Sequence, residues 1–160
     1  MSHVIIEGPD GAGKTSLARF ICHRHTMAYH HEGPPPDGSA LHHYAGLLMN
    51  TTKPTVFDRL HLGELVYGPL LRGDSKLAPA DVDLLNEVIL NRCITVVACL
   101  PPWETCFANN RDKDEFIKDE VTLHAAYDAW SVLLRNPRFQ VNLRLYDYTA
   151  SPPFKLQGDL

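Results

Sequence analysis

The stretch Gly8-Pro9-Asp10-Gly11-Ala12-Gly13-Lys14-Thr15 decides the fold. It fits Gly-x-x-x-x-Gly-Lys-Ser/Thr, and each part has a physical task. The glycines let the backbone wrap so that its N–H groups point inward, and a helix beginning at Lys14 adds its positive end at the same place. The Lys14 ammonium would reach the β- and γ-phosphates of a nucleotide, and the Thr15 hydroxyl would hold Mg²⁺. The context fits: the apolar run His3 to Glu7 reads as a strand, and Lys14 to Arg24 has helical spacing with Leu17, Ala18, Ile21 and Cys22 on one face. Gly8, Asp10, Gly11, Ala12, Gly13, Lys14, Thr15 and Ser16 are therefore the expected residues around ATP.

Working outward, Met27 to His30 reads as a second short strand and Gly33-Pro34-Pro35-Pro36-Asp37-Gly38 as a loop. A helix over about 39–50 follows, then strand-like Thr55-Val56-Phe57-Asp58. The stretch His61 to Leu71 reads as a helix that Gly68-Pro69 ends or kinks. Ala80 to Asn91 is an amphipathic helix entered through Pro79. Cys93 to Leu100 has the continuous apolar character of a strand buried on both faces. A short helix from Trp103 to Asn109, a long one from Lys118 to Arg135 and a last strand from Asn142 to Tyr146 complete the series. Strands alternating with helices predict an α/β fold, a three-layer α/β/α arrangement with a parallel sheet, and the phosphate loop puts it in the P-loop NTPase class. One domain over 1–160 is expected, with an exposed tail from about 150 to 160.

Composition narrows the function. The chain has 160 residues, 44% hydrophobic and 21% charged, with a formal net charge of −4. That length builds a full core without disulfides or a structural metal, and the mild acidity argues against a protein that works by gripping duplex backbone. Cys22, Cys93, Cys99 and Cys106 form no Cys-x-x-Cys pair. With no signal peptide and no apolar run long enough for a membrane span, reduced thiols in the cytoplasm are expected. Cys22, His23, His25, His30 and His31 lie close in sequence but lack the paired spacing zinc wants.

Asp58-Arg59 closes the strand Thr55 to Asp58 with an acid and a base. In a parallel sheet the carboxyl ends of strands face the ligand crevice. A carboxylate there can hold a metal-bound water or accept a proton, and an arginine can grip phosphate bidentately.

Glu7 to Thr15, Asp58-Arg59 and the downstream Tyr67 together resemble thymidylate kinases, in order along the chain. Leu100-Pro101-Pro102-Trp103-Glu104 and Asn110-Arg111-Asp112-Lys113 stand where that family has its strand with Pro-Glu and its lid. The run Leu62 to Leu70 resembles the small nucleotide kinases encoded by bacteriophages. The resemblance implies a fold of nucleotide-kinase type with a short lid around 109–117, and an ATP- and Mg²⁺-dependent deoxynucleoside monophosphate kinase, acting on thymidylate or a modified pyrimidine. It implies catalytic roles for Lys14, Asp58, Arg59 and Arg111, with Lys113 as the other candidate lid charge. Acceptor contacts would come from Asp10, Arg59 and Tyr67, and metal contacts from Thr15 and Asp58. His31 and Arg72 are further candidates for the acceptor, and Tyr146-Asp147-Tyr148 for the nucleotide base.

There are departures from the family pattern: Gly63 and Gly68 replace a serine and a glutamine, Gly11 replaces an arginine that some members carry, and His30 to Pro36 replaces the Arg-Glu-Pro loop. These positions help choose the acceptor, so the chemistry carries over better than the base. Two other readings remain open here: a kinase acting on a nucleoside or on a hydroxymethyl pyrimidine in DNA, and a non-kinase ATP-binding module with a protein partner. A small-molecule nucleotide is the expected partner, with a homodimer expected by resemblance.

Overall fold

The structure, a computed structural model, describes residues 3–111, 117 and 119–155, with the backbone alone at Arg111, Phe154 and Lys155. In chain order the elements are β1 (Val4–Glu7), α1 (Lys14–His25), β2 (Ala28–His31), α2 (Ala40–Asn50), β3 (Thr55–Asp58), α3 (Leu62–Arg72) and α4 (Pro79–Asn91). They continue with β4 (Thr95–Cys99), α5 (Trp103–Arg111), α6 (Glu120–Arg135), a 3₁₀ turn (Pro137–Phe139), β5 (Leu143–Tyr146) and β6 (Phe154–Lys155).

The sheet order is β2-β3-β1-β4-β5-β6. The first five strands run parallel, as the alternation of strands and helices predicts, and β6 pairs antiparallel with β5 through Leu145↔Lys155 and Tyr146↔Phe154. β1 lies between β3 and β4, so the chain leaves it first to one side and later to the other. A crevice opens at the carboxyl ends of strands at such a reversal.

Period-two alternation sorts each strand between two cores. Ile5, Phe57 and Val96 face one side with α2, α3, α4 and α6, around Trp130 and Tyr44. Ile6, Val56 and Val97 face the other, against Leu17 and Ala18 of α1. Trp130 is fully buried, and cutting such a side chain to alanine typically costs about 3–5 kcal/mol. Among the described residues no helix is long and apolar enough to cross a membrane.

Two expectations change, and one strand was not expected. Phe154–Lys155 form the edge strand β6, and just before it the Asp147 N–H donates to the Pro153 carbonyl at 2.8 Å, while 151–153 are exposed and 156–160 lie outside the described residues. Gly68-Pro69 does not end α3, which runs on to a left-handed Gly73 cap at φ 85°. Gly68 serves instead as a close-approach point: a Cβ there would lie 2.8 Å from Glu64 Oε1 and 3.0 Å from the Asp74 carbonyl oxygen. The helix Trp103 to Asn109 extends to Arg111.

Candidate active site

The phosphate loop joins β1 to α1 and takes its shape from three glycines with left-handed backbone: Gly8 at φ 137°, Gly11 at 77° and Gly13 at 81°. Gly8 and Gly11 are also jammed against neighbouring main chain. A Cβ on Gly8 would stand 2.2 Å from the Cys99 carbonyl oxygen, and one on Gly11 would stand 2.1 Å from that of Cys106. Lys14 bends back over the loop. Its Nζ donates to the Pro9 carbonyl at 2.6 Å and lies 3.8 Å from Asp10 Oδ1. Burial, then the nearby Arg59, hold the Lys14 pKa below its ordinary value. Thr15 and Ser16, the next two residues, are solvent-facing.

Asp58 is fully buried at the end of β3, and its Oδ2 collects three groups. The Thr15 hydroxyl donates at 2.7 Å, the Tyr29 phenol of β2 donates at 2.7 Å, and His31 Nδ1 stands 3.5 Å away. Burial and the Asp58 carboxylate push the Tyr29 phenol up to about 12, so it stays protonated and donating. Asp58 Oδ1 is buried with no protein partner. These residues fit a hydrated divalent cation. The Thr15 proton is spent on Asp58, which leaves the hydroxyl lone pairs for a metal, and the orphaned carboxylate oxygen can accept from a metal-bound water.

Beside the loop lies a cavity of about 350 Å³ in which ionisable groups converge; its lining includes Glu7, Asp10, Glu32, Arg59, Glu64 and Arg72. Arg59 Nη2 donates to Asp10 Oδ1 at 2.8 Å. The Arg59 backbone has φ 74°, uncommon for a residue with a side chain, and its N–H is tied to the Ile6 carbonyl at 2.8 Å. Such strain persists where the surroundings impose it, and it is often found at functional sites. Arg72 Nη2 donates to Glu64 Oε1, which also accepts from the Lys76 backbone N–H. Glu32 Oε2 lies 2.9 Å from His30 Nε2 and its Oε1 lies 3.3 Å from His43 Nε2. The two histidines pull the Glu32 pKa below its ordinary value against the opposing, and largest, effect of burial.

Glu7 forms the floor of the cavity. Its Oε1 accepts the backbone N–H groups of Leu60 and Leu62 at 3.1 and 2.9 Å. Burial nevertheless raises its pKa to about 7. Tyr67 meets Trp130 edge-on with ring centroids 6.4 Å apart. Burial raises the pKa of the Tyr67 phenol well above the ordinary value.

A larger groove of about 1110 Å³ lies behind the loop on the α1 side. Gly13, Ser16, Asn109 and Tyr148 line it, together with apolar Val4, Ile21, Met27 and Val97. Its ionisable lining is His25, Arg144, Tyr146 and Tyr148, whereas the carboxylates of Glu7, Asp10, Glu32 and Glu64 line the smaller cavity.

The structure thus brings Asp10, Lys14, Thr15, Asp58, Arg59 and His31 to one crevice, with Tyr67 and Arg72 in the adjoining cavity. Lys113 lies outside the described residues, as does the side chain of Arg111, and the expected lid over 109–117 lies largely outside them too. Sequence reasoning missed Tyr29, Tyr44, Glu64, Asn109 and Trp130 as candidate site residues, whereas Glu32 lies in the His30 to Pro36 segment already expected to help choose the acceptor. Only Glu64 carried a signal, an acid at the start of an amphipathic helix. Among the described residues no three His, Cys, Asp or Glu side chains are grouped so that they could hold a metal ion.

No family model matches this sequence, and no curated protein does. Solved structures do match its shape. The YorR protein of Bacillus subtilis, in complex with phosphorylated GDP, superposes with a TM-score of 0.75 at 15% identity, over 92% of this chain and 85% of that one. Deoxyadenosine kinase of M. mycoides with bound dATP has a TM-score of 0.64 at 13% identity, over 94% of this chain and 92% of that one. The chain shares the three-layer α/β fold of these proteins, with a phosphate loop after β1. A gluconokinase of Sinorhizobium meliloti shares it at a TM-score of 0.60 and 12% identity, over 93% of this chain and 83% of that one. Likeness of this kind spans a deoxyadenosine kinase and a gluconokinase, so it shows the fold alone.

Proposed function

We propose that this chain is an ATP-dependent kinase that phosphorylates a deoxynucleoside 5′-monophosphate, with thymidylate or a modified pyrimidine nucleotide as the acceptor. The observation that carries this reading is the Arg59–Asp10 pair at 2.8 Å across the mouth of the phosphate loop. A nucleoside monophosphate offers each member a better partner: its phosphate takes the guanidinium fork, and a sugar hydroxyl donates to the carboxylate. Tyr67 and Arg72 then line the space for sugar and base, and His31 stands at its edge.

On this reading the backbone N–H groups of the loop and Lys14 cradle the donor phosphates. Arg59 holds the acceptor phosphate in line, which converts a bimolecular step into a positioned one. Thr15 and Asp58 would hold Mg²⁺, which when bound neutralises charge on the β- and γ-phosphates. Arg111, at the end of α5, is the proposed further positive charge for the transferring group.

A second reading has an observation of its own. Glu32 lines the cavity, kept ionised by two histidines, and a carboxylate so placed can accept a proton from a hydroxyl. That favours a neutral nucleoside, whose 5′-hydroxyl would be the acceptor. An ADP-release assay run over dTMP, dCMP, dAMP, dGMP and hydroxymethyl pyrimidine monophosphates, and over the matching nucleosides, decides between the two. Turnover of a monophosphate supports the first reading, and turnover confined to nucleosides moves the assignment to the second. ATP binding with no turnover of either set would overturn both, and radiolabel transfer into hydroxymethyluracil-containing DNA then tests a polymer acceptor.

A further inference from the structure

The side-chain amide of Asn109 joins three segments. Its Nδ2 donates one hydrogen to the Gly11 carbonyl in the phosphate loop at 2.8 Å and the other to the Tyr148 hydroxyl at 2.7 Å. Tyr148 follows β5, and its ring lies over Gly13, close enough that a Cβ on Gly13 would come within 3.2 Å of Cε1. Asn109 belongs to α5, whose main chain at Cys106 already touches Gly11.

The orientation of the Gly11 peptide matters to phosphate binding. An anion-binding loop works only while its N–H groups point inward, and the matching carbonyls must then point outward and find donors there. Nothing in the loop sequence supplies a donor for the Gly11 carbonyl. Asn109 supplies it from 98 residues away. By the same amide it sets the position of Tyr148 above Gly13, at the end of the groove that Ser16 also lines.

We propose that Asn109 is a positioning residue for the donor nucleotide: it locks the Gly11 peptide with its carbonyl outward and seats Tyr148 against the loop. This rests on the ATP-donor part of the reading above and is independent of which acceptor is used. The lock acts on the triphosphate through the loop and on the nucleoside part through Tyr148. A conservative change to aspartate removes both donors and sets a carboxylate against the Gly11 carbonyl, so it acts more strongly than removal of the side chain.

The test is titration calorimetry of ATP and of inorganic tripolyphosphate against the wild type, Asn109→Ala, Asn109→Asp, Tyr148→Phe and the double variant Asn109→Ala/Tyr148→Phe. Loss of one such hydrogen bond predicts that Asn109→Ala weakens both ligands by about tenfold. Asn109→Asp is expected to weaken them further, and Tyr148→Phe to weaken ATP more than tripolyphosphate. The double variant is expected to lose less than the sum of its parts, since both changes break the same contact. In turnover, KM for ATP rises while kcat and the acceptor KM stay close to wild type. A purely structural role would lower the melting temperature and move all of these together. Unchanged tripolyphosphate affinity in both Asn109 variants, with wild-type melting, overturns the proposal while leaving the kinase reading intact. Absence of ATP and tripolyphosphate binding by the wild type overturns the kinase reading itself.

Discussion

The phosphate loop and the smaller cavity, the proposed acceptor site, are neighbours built in opposite ways. The loop is defined by main chain: its geometry comes from three left-handed glycines within six residues and from carbonyls packed on them. The cavity is defined by side chains, drawn from β1, the segment after β2, α2, α3 and α6. Charge differs as well. The loop presents N–H groups and Lys14, whereas the cavity sets the carboxylates of Glu7, Asp10, Glu32 and Glu64 against the guanidiniums of Arg59 and Arg72. A main-chain site reads what every nucleoside triphosphate shares, and a side-chain site can be re-cut to choose among acceptors. Arg59 and Asp58 stand at the border between the two.

The sharpest break between the regions is expected from Arg59→Ala. Loss of a charged phosphate contact predicts a fall in kcat/KM for the acceptor of about 10²–10³-fold. ATP affinity should stay nearly constant, as measured by calorimetry beside steady-state kinetics. Equal losses for donor and acceptor would dissolve the distinction.

Glu7→Gln probes the cavity floor through stability. The Glu7 pKa is raised from 4.5 to about 7 in the fold. The folded state therefore binds more protons than the unfolded state between those values, and stability falls as pH rises through the window. His61 works the other way: burial lowers its pKa from 6.5 to about 4, so stability there grows as pH rises through that interval. In the wild type the two slopes oppose one another over their overlap. Removing Glu7 should leave the upward slope of His61 exposed, with a difference between variant and wild type of up to about 3 kcal/mol between acid and neutral pH. Chemical denaturation at a series of pH values measures it, and parallel profiles would show that Glu7 does not titrate in the fold.

The smallest effect is expected at the border. Tyr29→Phe frees one position on Asp58 Oδ2 and also removes a hydroxyl that neighbours the Thr15 side chain. A lost hydrogen bond to a charged group predicts a Mg²⁺ requirement raised by about tenfold. Mn²⁺ titration in the presence of ADP, followed by electron paramagnetic resonance, should show the same shift with melting unchanged. No change in metal affinity would reduce Tyr29 to a surface phenol on an edge strand.

This contrast also explains what could be read from the sequence. The loop was legible because its shape is written in consecutive residues, Gly8 to Thr15, with the flanking strand and helix beside it. Asp58 and Arg59 were legible because they end a strand. The five parallel strands followed from the alternation of apolar runs and helical spacing, but β6 did not: a two-residue strand after Pro152-Pro153 carries no periodicity. Tyr29 sits in a strand whose residues are mostly exposed, so nothing marked it as a partner of Asp58. Trp130 and Tyr67 meet only because α6 packs on α3, a tertiary fact that no local pattern records. Asn109 gave no signal, because the carbonyl it satisfies belongs to a glycine far away in sequence.

The contact of Gly8 and Gly11 with the Cys99 and Cys106 carbonyl oxygens has an evolutionary consequence. In this chain the main chain of β4 and α5 closes both positions, and since the obstruction is backbone, no neighbouring side chain can be trimmed to make room. An arginine at position 11, of the kind found in the pattern that the sequence resembles, therefore needs α5 to stand elsewhere. The walls of the smaller cavity are side chains, which can be exchanged one residue at a time with the backbone unmoved. Change by way of α2, α3 and the segment after β2 is gradual, whereas change at Gly11 comes together with a displaced helix.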